Sequence, residues 1–234
     1  MLKPKDFLSL EISQTNNKST LKDIHAYLLI QDLVQFPEYF AITNSSLRFH
    51  TLAVILNDIL INNRKQIIEF GSGISTLAIA NLIKKNSLEC SFFSVEDNEE
   101  WYQYLKSFLT RNDLQKYVNI IYAPLKKNSQ TLENNLWYSQ ESLQKSINPD
   151  YNFNLAIIDG PAAWKPKIRL SRYPALPYLI NNLSEEFSIY FDDTNRKGEK
   201  EIMSLWNQKY KLKFEPINNT SAVSIKGKNL NTIP

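Results

Sequence analysis

Cysteine, histidine and glycine are all scarce in this chain of 234 residues, which has one cysteine, two histidines and five glycines. Cys90 alone cannot close an intramolecular disulfide, and it lies in an apolar run with the character of a buried strand, so no disulfide framework is expected to hold the fold. No stretch approaches the roughly 18 consecutive apolar residues of a membrane span. No long apolar segment follows the charges of Met1-Leu2-Lys3-Pro4-Lys5-Asp6. A reducing, cytoplasmic setting is therefore expected. Clustered positive charge is lacking too: the formal net charge is +3, the lysines are scattered, and the local group at Lys197 to Lys200 is interrupted by Glu199. Such a distribution predicts no nucleic-acid partner. Hydrophobic residues at 43% and charged residues at 22% are an ordinary globular balance, and the length suits one α/β core with an extension. There is no internal repeat, and nothing in the pattern indicates an oligomeric state.

Residues 1–20 are polar and aperiodic apart from a patch at Phe7 to Ile12, and predict a loose N-terminal arm. Residues 21–64 predict a helical extension packed on the core: Ile24, Leu28, Leu29 and Val34 recur at helical spacing. A second helix is expected at Leu47, Leu52, Ile55, Ile59 and Leu60 behind an Asn44-Ser45-Ser46 cap. Strand and helix then alternate over residues 65–227. Strands are expected at Gln66 to Phe70, Cys90 to Val95, Val118 to Tyr122, Leu155 to Ile158 and Phe187 to Phe191, with a final hairpin at Leu212 to Phe214 and Ala222 to Ile225. Residues 228–234 form a tail. This alternation predicts an α/β fold with a mostly parallel sheet, helices on both faces, and ligands beyond the carboxyl ends of the strands.

Glu69, Glu96, Asp159, Asp192 and Asp193 all fall at or near such ends. Gly71 and Gly73 follow the first strand directly, where a missing Cβ permits a sharp turn and close approach of a ligand to the next helix's N-terminus. Glu96 closes the next strand, 23 residues beyond Gly73, where a carboxylate can accept hydrogen bonds from both hydroxyls of a ribose. In a dinucleotide fingerprint a third Gly or Ala would stand where Thr76 stands. S-adenosylmethionine has no phosphate and needs only two glycines, and Glu69 is placed to face its ammonium or the waters around it. The predicted cofactor site is thus Glu69, Gly71, Ser72, Gly73, Ser75, Thr76, Glu96 and Asp97. The bland alternative is a tight turn beside an exposed glutamate.

Taken together, Glu69-Phe70-Gly71-Ser72-Gly73-Ile74-Ser75-Thr76, Ser94-Val95-Glu96, Ala123-Pro124-Leu125, Trp137-Tyr138, Ile158-Asp159-Gly160-Pro161, Arg172-Tyr173-Pro174-Ala175-Leu176-Pro177 and Asp192-Asp193-Thr194-Asn195-Arg196 resemble a group of bacterial Rossmann-fold methyltransferases. The resemblance runs from about Phe40 to Ile225. It implies a Rossmann-like methyltransferase fold with a seven-stranded sheet and an antiparallel C-terminal strand. It also implies S-adenosylmethionine binding and methyl transfer, and supplies no substrate.

Asp159, Asp192 and Asp193 resemble the strand-end acids that hold Mg²⁺ in metal-dependent O-methyltransferases of the catechol and macrolide-sugar type. A divalent cation there would acidify and orient an acceptor hydroxyl. Without it, Asp159 is the first candidate base and Asp192 the second. Capping of the next helix by Asp193 or Asn195, and a turn organised by Asp159, are the structural alternatives. Trp137, Tyr138 and Trp164 could face a flat or sugar-like acceptor or simply pack. Arg172 and Arg196 could bind an anionic acceptor or form surface ion pairs. His50 is a rival base or a packing residue, and His25 is less well placed. The expected acceptor is a small or saccharide hydroxyl compound. An NAD-dependent oxidoreductase or epimerase would need a Tyr-x-x-x-Lys pair after the fourth strand, which is missing. A non-catalytic cofactor-binding module would not require the acids to be intact.

Overall fold

The computed structural model describes the backbone of residues 4–234 and the side chains of residues 17–234. Two helices come first, α1 (Pro4–Val34) and α2 (Phe49–Ile61). Then β1 (Gln66–Phe70), α3 (Ile74–Lys85), β2 (Ser91–Glu96), α4 (Glu99–Arg111) and β3 (Asn119–Tyr122) alternate. A small antiparallel ribbon of β4 (Leu125–Lys126) and β5 (Trp137–Tyr138) follows. The chain continues through α5 (Gln140–Ser146), β6 (Phe153–Ile158), α6 (Ala175–Leu179), β7 (Leu183–Phe191), α7 (Lys197–Tyr210), β8 (Glu215–Pro216) and β9 (Ala222–Lys226).

The main sheet has the order β3-β2-β1-β6-β7-β9-β8. Its strands are parallel except β9, which runs antiparallel to both neighbours. Strand order grows outward from β1 in one direction and then resumes with β6 on its other side. The loops leaving β1 and β6 therefore part company, and a crevice opens over their carboxyl ends. Helices cover both faces. Ile67, Phe92, Leu155 and Ile157 point into the layer of α1 to α4, while Ile68, Phe70, Phe93, Ala156 and Ile158 point into the layer of α5 to α7. Burial on both faces is why β1 and β6 read as nearly continuous apolar runs.

Four expectations shift in detail. The backbone is helical from Pro4 through the range expected to form an arm, with residues 1–3, and the side chains of the Phe7 to Ile12 patch, outside the described residues. The face of α1 that is buried is Ala26, Ile30 and Val34, whereas Ile24, Leu28 and Leu29 are more than half exposed. Helix rotation is fixed by a polar link: Asp23 accepts from the His50 amide at 3.1 Å and pairs with Arg48 at 3.0 Å. That link also replaces the expected Asn44-Ser45-Ser46 cap, since α2 starts after Arg48, which makes no side-chain capping bond. Finally, β8 lies at Glu215–Pro216, just beyond the predicted Leu212 to Phe214. Residues 228–234 dock along α2, with Leu230 N donating to Asn62 Oδ1 at 2.7 Å and Asn57 Nδ2 to the Thr232 carbonyl at 2.9 Å. Among the described residues no helix is long and apolar enough to cross a membrane.

Candidate active site

The loop from β1 into α3 is built around two close approaches. Gly71 has φ of +96°, and a Cβ there would lie 2.8 Å from the Gly160 amide nitrogen. Gly160, after β6, is closed in the same way: a Cβ on it would run into the Tyr138 hydroxyl. Only glycine fits at either position. Behind the turn, the fully buried Glu69 carboxylate accepts from the hydroxyls of Ser75, Thr76 (2.5 Å) and Ser94 (2.7 Å). Burial raises the Glu69 pKa and the three hydroxyls oppose that shift. Thr76 Oγ1 in turn accepts from the Gly73 amide at 2.9 Å. Glu69 and Thr76, both predicted cofactor contacts, therefore sit in the scaffold behind the turn and not on the cavity wall. Carboxylate and hydroxyls satisfy each other, which is what a buried charge requires.

A cavity of about 470 Å³ opens in front of the turn. Gly71, Ser72, Gly73, Ser75, Glu96 and Asp97 all line it. At the end of β2 the Glu96 carboxylate receives backbone amides: Ser72 N at 3.2 Å on one oxygen, and Asp97 N at 3.0 Å and Asn98 N at 2.8 Å on the other. Burial pushes its pKa up to about 7, and the amides oppose the rise. Oxygens that already hold this geometry keep lone pairs for the hydroxyls of a ligand. Trp101, on the first turn of α4, donates Nε1 to the Ser72 carbonyl at 2.9 Å and braces the same wall.

Across the ends of β6 and β7 lies an acid cluster. Ligand atoms of Asp159, Asp192 and Asp193 approach within 4.8 Å of one another, so the structure assembles the predicted group. Arg172 lies inside it, almost fully buried. Its Nη1 is 3.0 Å from Asp193 Oδ2, and its Nη2 3.5 Å from Asp159 Oδ1. The remaining donors go to backbone carbonyls: Nε to Pro161 at 3.0 Å, Nη1 to Asp192 at 3.3 Å and Nη2 to Asp159. Asp193 Oδ1 is taken by Arg196 at 2.8 Å, and Asp192 Oδ1 accepts from Ser221 Oγ. Burial and then the neighbouring Asp192 raise the Asp159 pKa well above the carboxylate range, with Arg172 opposing. Burial also raises that of Asp192.

The substrate candidates divide. Trp137 is wholly buried, its ring 5.3 Å from Phe70 and 5.4 Å from Tyr178, and so packs in the core. Tyr138 borders the cavity, but its hydroxyl is buried against Gly160 and makes no hydrogen bond among the described residues. Arg172 is occupied by acids and carbonyls and has no fork left for an anionic ligand. Arg196 and the two-thirds exposed Trp164 line the cavity. Asp159 lines it too, whereas Asp192 does not. His50 faces a separate polar recess with Lys22, Asp23, Arg48 and, from the loop after β7, Asn195. Sequence reading missed the segment from Phe40 to Leu47, which borders the cavity from the α1–α2 connection, and also Asn98 and Trp101. The connection carries no motif. The two α4 residues could have been found from the rule that the residues after a strand-end acid open the next helix.

The fold this site is built on is that of Rossmann-like methyltransferases. Solved structures with this fold include a protein from Staphylococcus aureus described as a caffeoyl-CoA O-methyltransferase, with a TM-score of 0.59 and 20% identity over 90% of this chain and 99% of that one. An O-methyltransferase from Bacillus cereus in complex with S-adenosylhomocysteine gives a TM-score of 0.55 at 14% identity over 88% and 90% of the two chains. TomG, an O-methyltransferase of tomaymycin synthesis from Streptomyces achromogenes solved with S-adenosylmethionine, gives 0.53 at 9% identity over 97% and 100%. No protein-family model matches the chain, and no curated protein matches it in sequence.

Proposed function

We propose that this chain is an S-adenosylmethionine-dependent methyltransferase that methylates a hydroxyl of a small, ring-bearing acceptor such as a sugar or a phenol. The observation that carries the reading is Glu96, held by three amides on the wall of the same cavity as the Gly71-Ser72-Gly73 turn. Gly71, Ser72 and Gly73 would hold the amino-acid part of the donor through their backbone, and Glu96 would take its ribose hydroxyls. The residues fit this group better than a dinucleotide. A pyrophosphate needs a small residue where Thr76 stands, and Thr76 is fully buried with its hydroxyl committed to Glu69 and Gly73. Two bound relatives of the fold, with S-adenosylhomocysteine and S-adenosylmethionine, support the same choice.

When bound, the donor supplies a methyl group on a cationic sulfur; the C–S bond breaks with its pair remaining on sulfur as the acceptor oxygen bonds to carbon. The chain's own residues align the acceptor and move one proton. Asp159, at the end of β6 beside the Gly71–Gly160 contact, takes the proton of the acceptor hydroxyl. The exposed face of Trp164 with Arg196 receives the acceptor ring. A cytoplasmic place of action belongs to this reading.

Calorimetric titration with S-adenosylhomocysteine, and separately with NAD, tests it. Micromolar binding of the former, lost in Glu96→Ala, is the expected result. No binding, or preference for NAD, would overturn the function and leave the fold untouched. Methyl transfer to any member of an acceptor panel would then separate an enzyme from a binding module.

A further inference from the structure

We infer that the acid cluster works without a divalent cation, because Arg172 is a built-in cation that holds the place a metal would take. Carboxylates at the ends of β6 and β7 have the right chemistry for Mg²⁺ or Mn²⁺, which ask for near-octahedral oxygen ligands at about 2.1 Å. What this chain offers them is mostly spent. Both oxygens of Asp193 are held by guanidinium groups, at 3.0 Å by Arg172 and at 2.8 Å by Arg196. One oxygen of Asp192 is taken by Ser221 and one of Asp159 faces Arg172. Only one oxygen from each of these two acids is free of a hydrogen-bond donor, and an ion bound through the lone pairs that remain would sit beside the Arg172 guanidinium.

Arg172 cannot step aside. A guanidinium has five N–H donors, and here they are distributed over the carbonyls of Asp159, Pro161 and Asp192 and the carboxylates of Asp159 and Asp193. The side chain is about 4% exposed. A divalent ion on Asp193 would lie within about 5 Å of that fixed positive charge, given ordinary metal–oxygen distances. Arginine suits this place as lysine would not, because its planar fork spans two acids and three carbonyls at once. Arg172 borders the cavity but has no donor left for an acceptor: it is a positioning residue that fixes Asp159 at the cavity wall.

This inference rests on the methyl-transfer reading for one consequence only. A metal site selects acceptors with two adjacent oxygens that can chelate the ion, whereas a guanidinium facing inward sets no such requirement, so a lone hydroxyl suffices.

The test uses the whole purified chain and Mn²⁺, followed by the electron paramagnetic resonance signal of the free ion. For the wild type we expect no loss of free signal into the millimolar range, and the same S-adenosylhomocysteine affinity with and without EDTA. Arg172→Met should gain Mn²⁺ binding by at least tenfold, and Arg172→Lys, which keeps the charge, should not. If neither variant folds, Arg196→Gln, at a partly exposed position, carries the test: it frees one oxygen of Asp193 and should raise Mn²⁺ affinity severalfold, and no gain would count against the inference. Micromolar Mn²⁺ binding by the wild type that is lost in Asp193→Asn would overturn the built-in cation. Equal Mn²⁺ binding by the Met and Lys variants would reduce Arg172 to a purely structural residue and overturn it as well. The methyl-transfer reading fails separately, by absence of S-adenosylhomocysteine binding, whatever Mn²⁺ does.

Discussion

Two arginines are buried in this molecule, at opposite ends of the sheet, and they serve different purposes. Arg64, just before β1, meets a single acid: Nε lies 3.0 Å from Asp58 Oδ1, and Nη2 donates to Ser188 and Asn229. Asp58 is completed by Tyr190 and Asn62, so one charge faces one charge and both Asp58 oxygens accept hydrogen bonds. Arg172, at the carboxyl ends, sits among Asp159, Asp192, Asp193 and Glu199, with Arg196 as a second, partly exposed cation near them. Glu199 is fully buried, and its oxygens make no hydrogen bond among the described residues. A balanced pair locks the tail and sheet together. An acid-rich group beside a cavity stores negative charge where chemistry can draw on it.

Breaking the balanced pair should have the largest effect. Arg64→Met leaves Asp58 buried and alone, and is expected to cost about 3 to 5 kcal/mol in urea unfolding. Cofactor affinity of the remaining folded protein should be unchanged. The same measurement on Arg172→Met should show a loss of similar size at pH 8 that shrinks toward pH 5.5. The sign follows from burial: Asp159, Asp192 and Glu199 have raised folded-state pKa values. The folded state then binds more protons than the unfolded state above about pH 4, so stability falls as pH rises. Removing the guanidinium strengthens that trend. A pH-independent loss would mean that Arg172 is as balanced as Arg64.

A smaller effect is expected at Ser221. Its hydroxyl bonds Asp192 and lies 2.8 Å from Thr51 Oγ1, which accepts from Asn218 Nδ2 at 2.7 Å. This short chain of hydroxyls ties α2 and the β8–β9 turn to the strand end. Ser221→Ala should cost about 2 kcal/mol, the worth of a buried hydrogen bond to a charged group, and thermal unfolding would read it. A loss below about 0.5 kcal/mol would show that Asp192 is held by other groups.

The contrast between the two arginines was invisible in the sequence, although much around them was not. Strands β1, β2 and β6, the glycine turn and Glu96 were legible, because short continuous apolar runs and the absence of Cβ at Gly71 are local properties of neighbouring residues. Convergence of Asp159, Asp192 and Asp193 was legible as strand-end placement. What fills the space among them was not: Arg172 stands 13 residues from Asp159, and only tertiary packing turns its side chain inward. Its neighbours Arg-Tyr-Pro read equally well as surface turn. For the same reason Trp137 and Tyr138, adjacent in sequence, were given one role, although the ribbon sends one into the core and sets the other at the border of the cavity. The buried face of α1 was misplaced because its apolar residues surround more than one face, and a polar contact from Asp23 settles its rotation.

The acid on the opposite wall of the cavity completes the comparison, since Glu96 is stabilised by amides alone and has no cation beside it in the way Asp193 has. Its pKa, pushed up to about 7 by burial, therefore makes ligand affinity a function of pH in the neutral range. Below that value the carboxyl is protonated in the free protein, and a hydroxyl ligand must compete with the bound proton. At pH 6 about a tenth of the molecules carry the ionised acceptor form, and at pH 8 about nine tenths do. Affinity for S-adenosylhomocysteine should thus rise about tenfold from pH 6 to pH 8, with proton release seen as a buffer-dependent heat near pH 7. Glu96→Gln should bind weakly and with no such dependence. A wild-type affinity that is flat from pH 6 to pH 8 would mean that the three amides keep Glu96 ionised throughout.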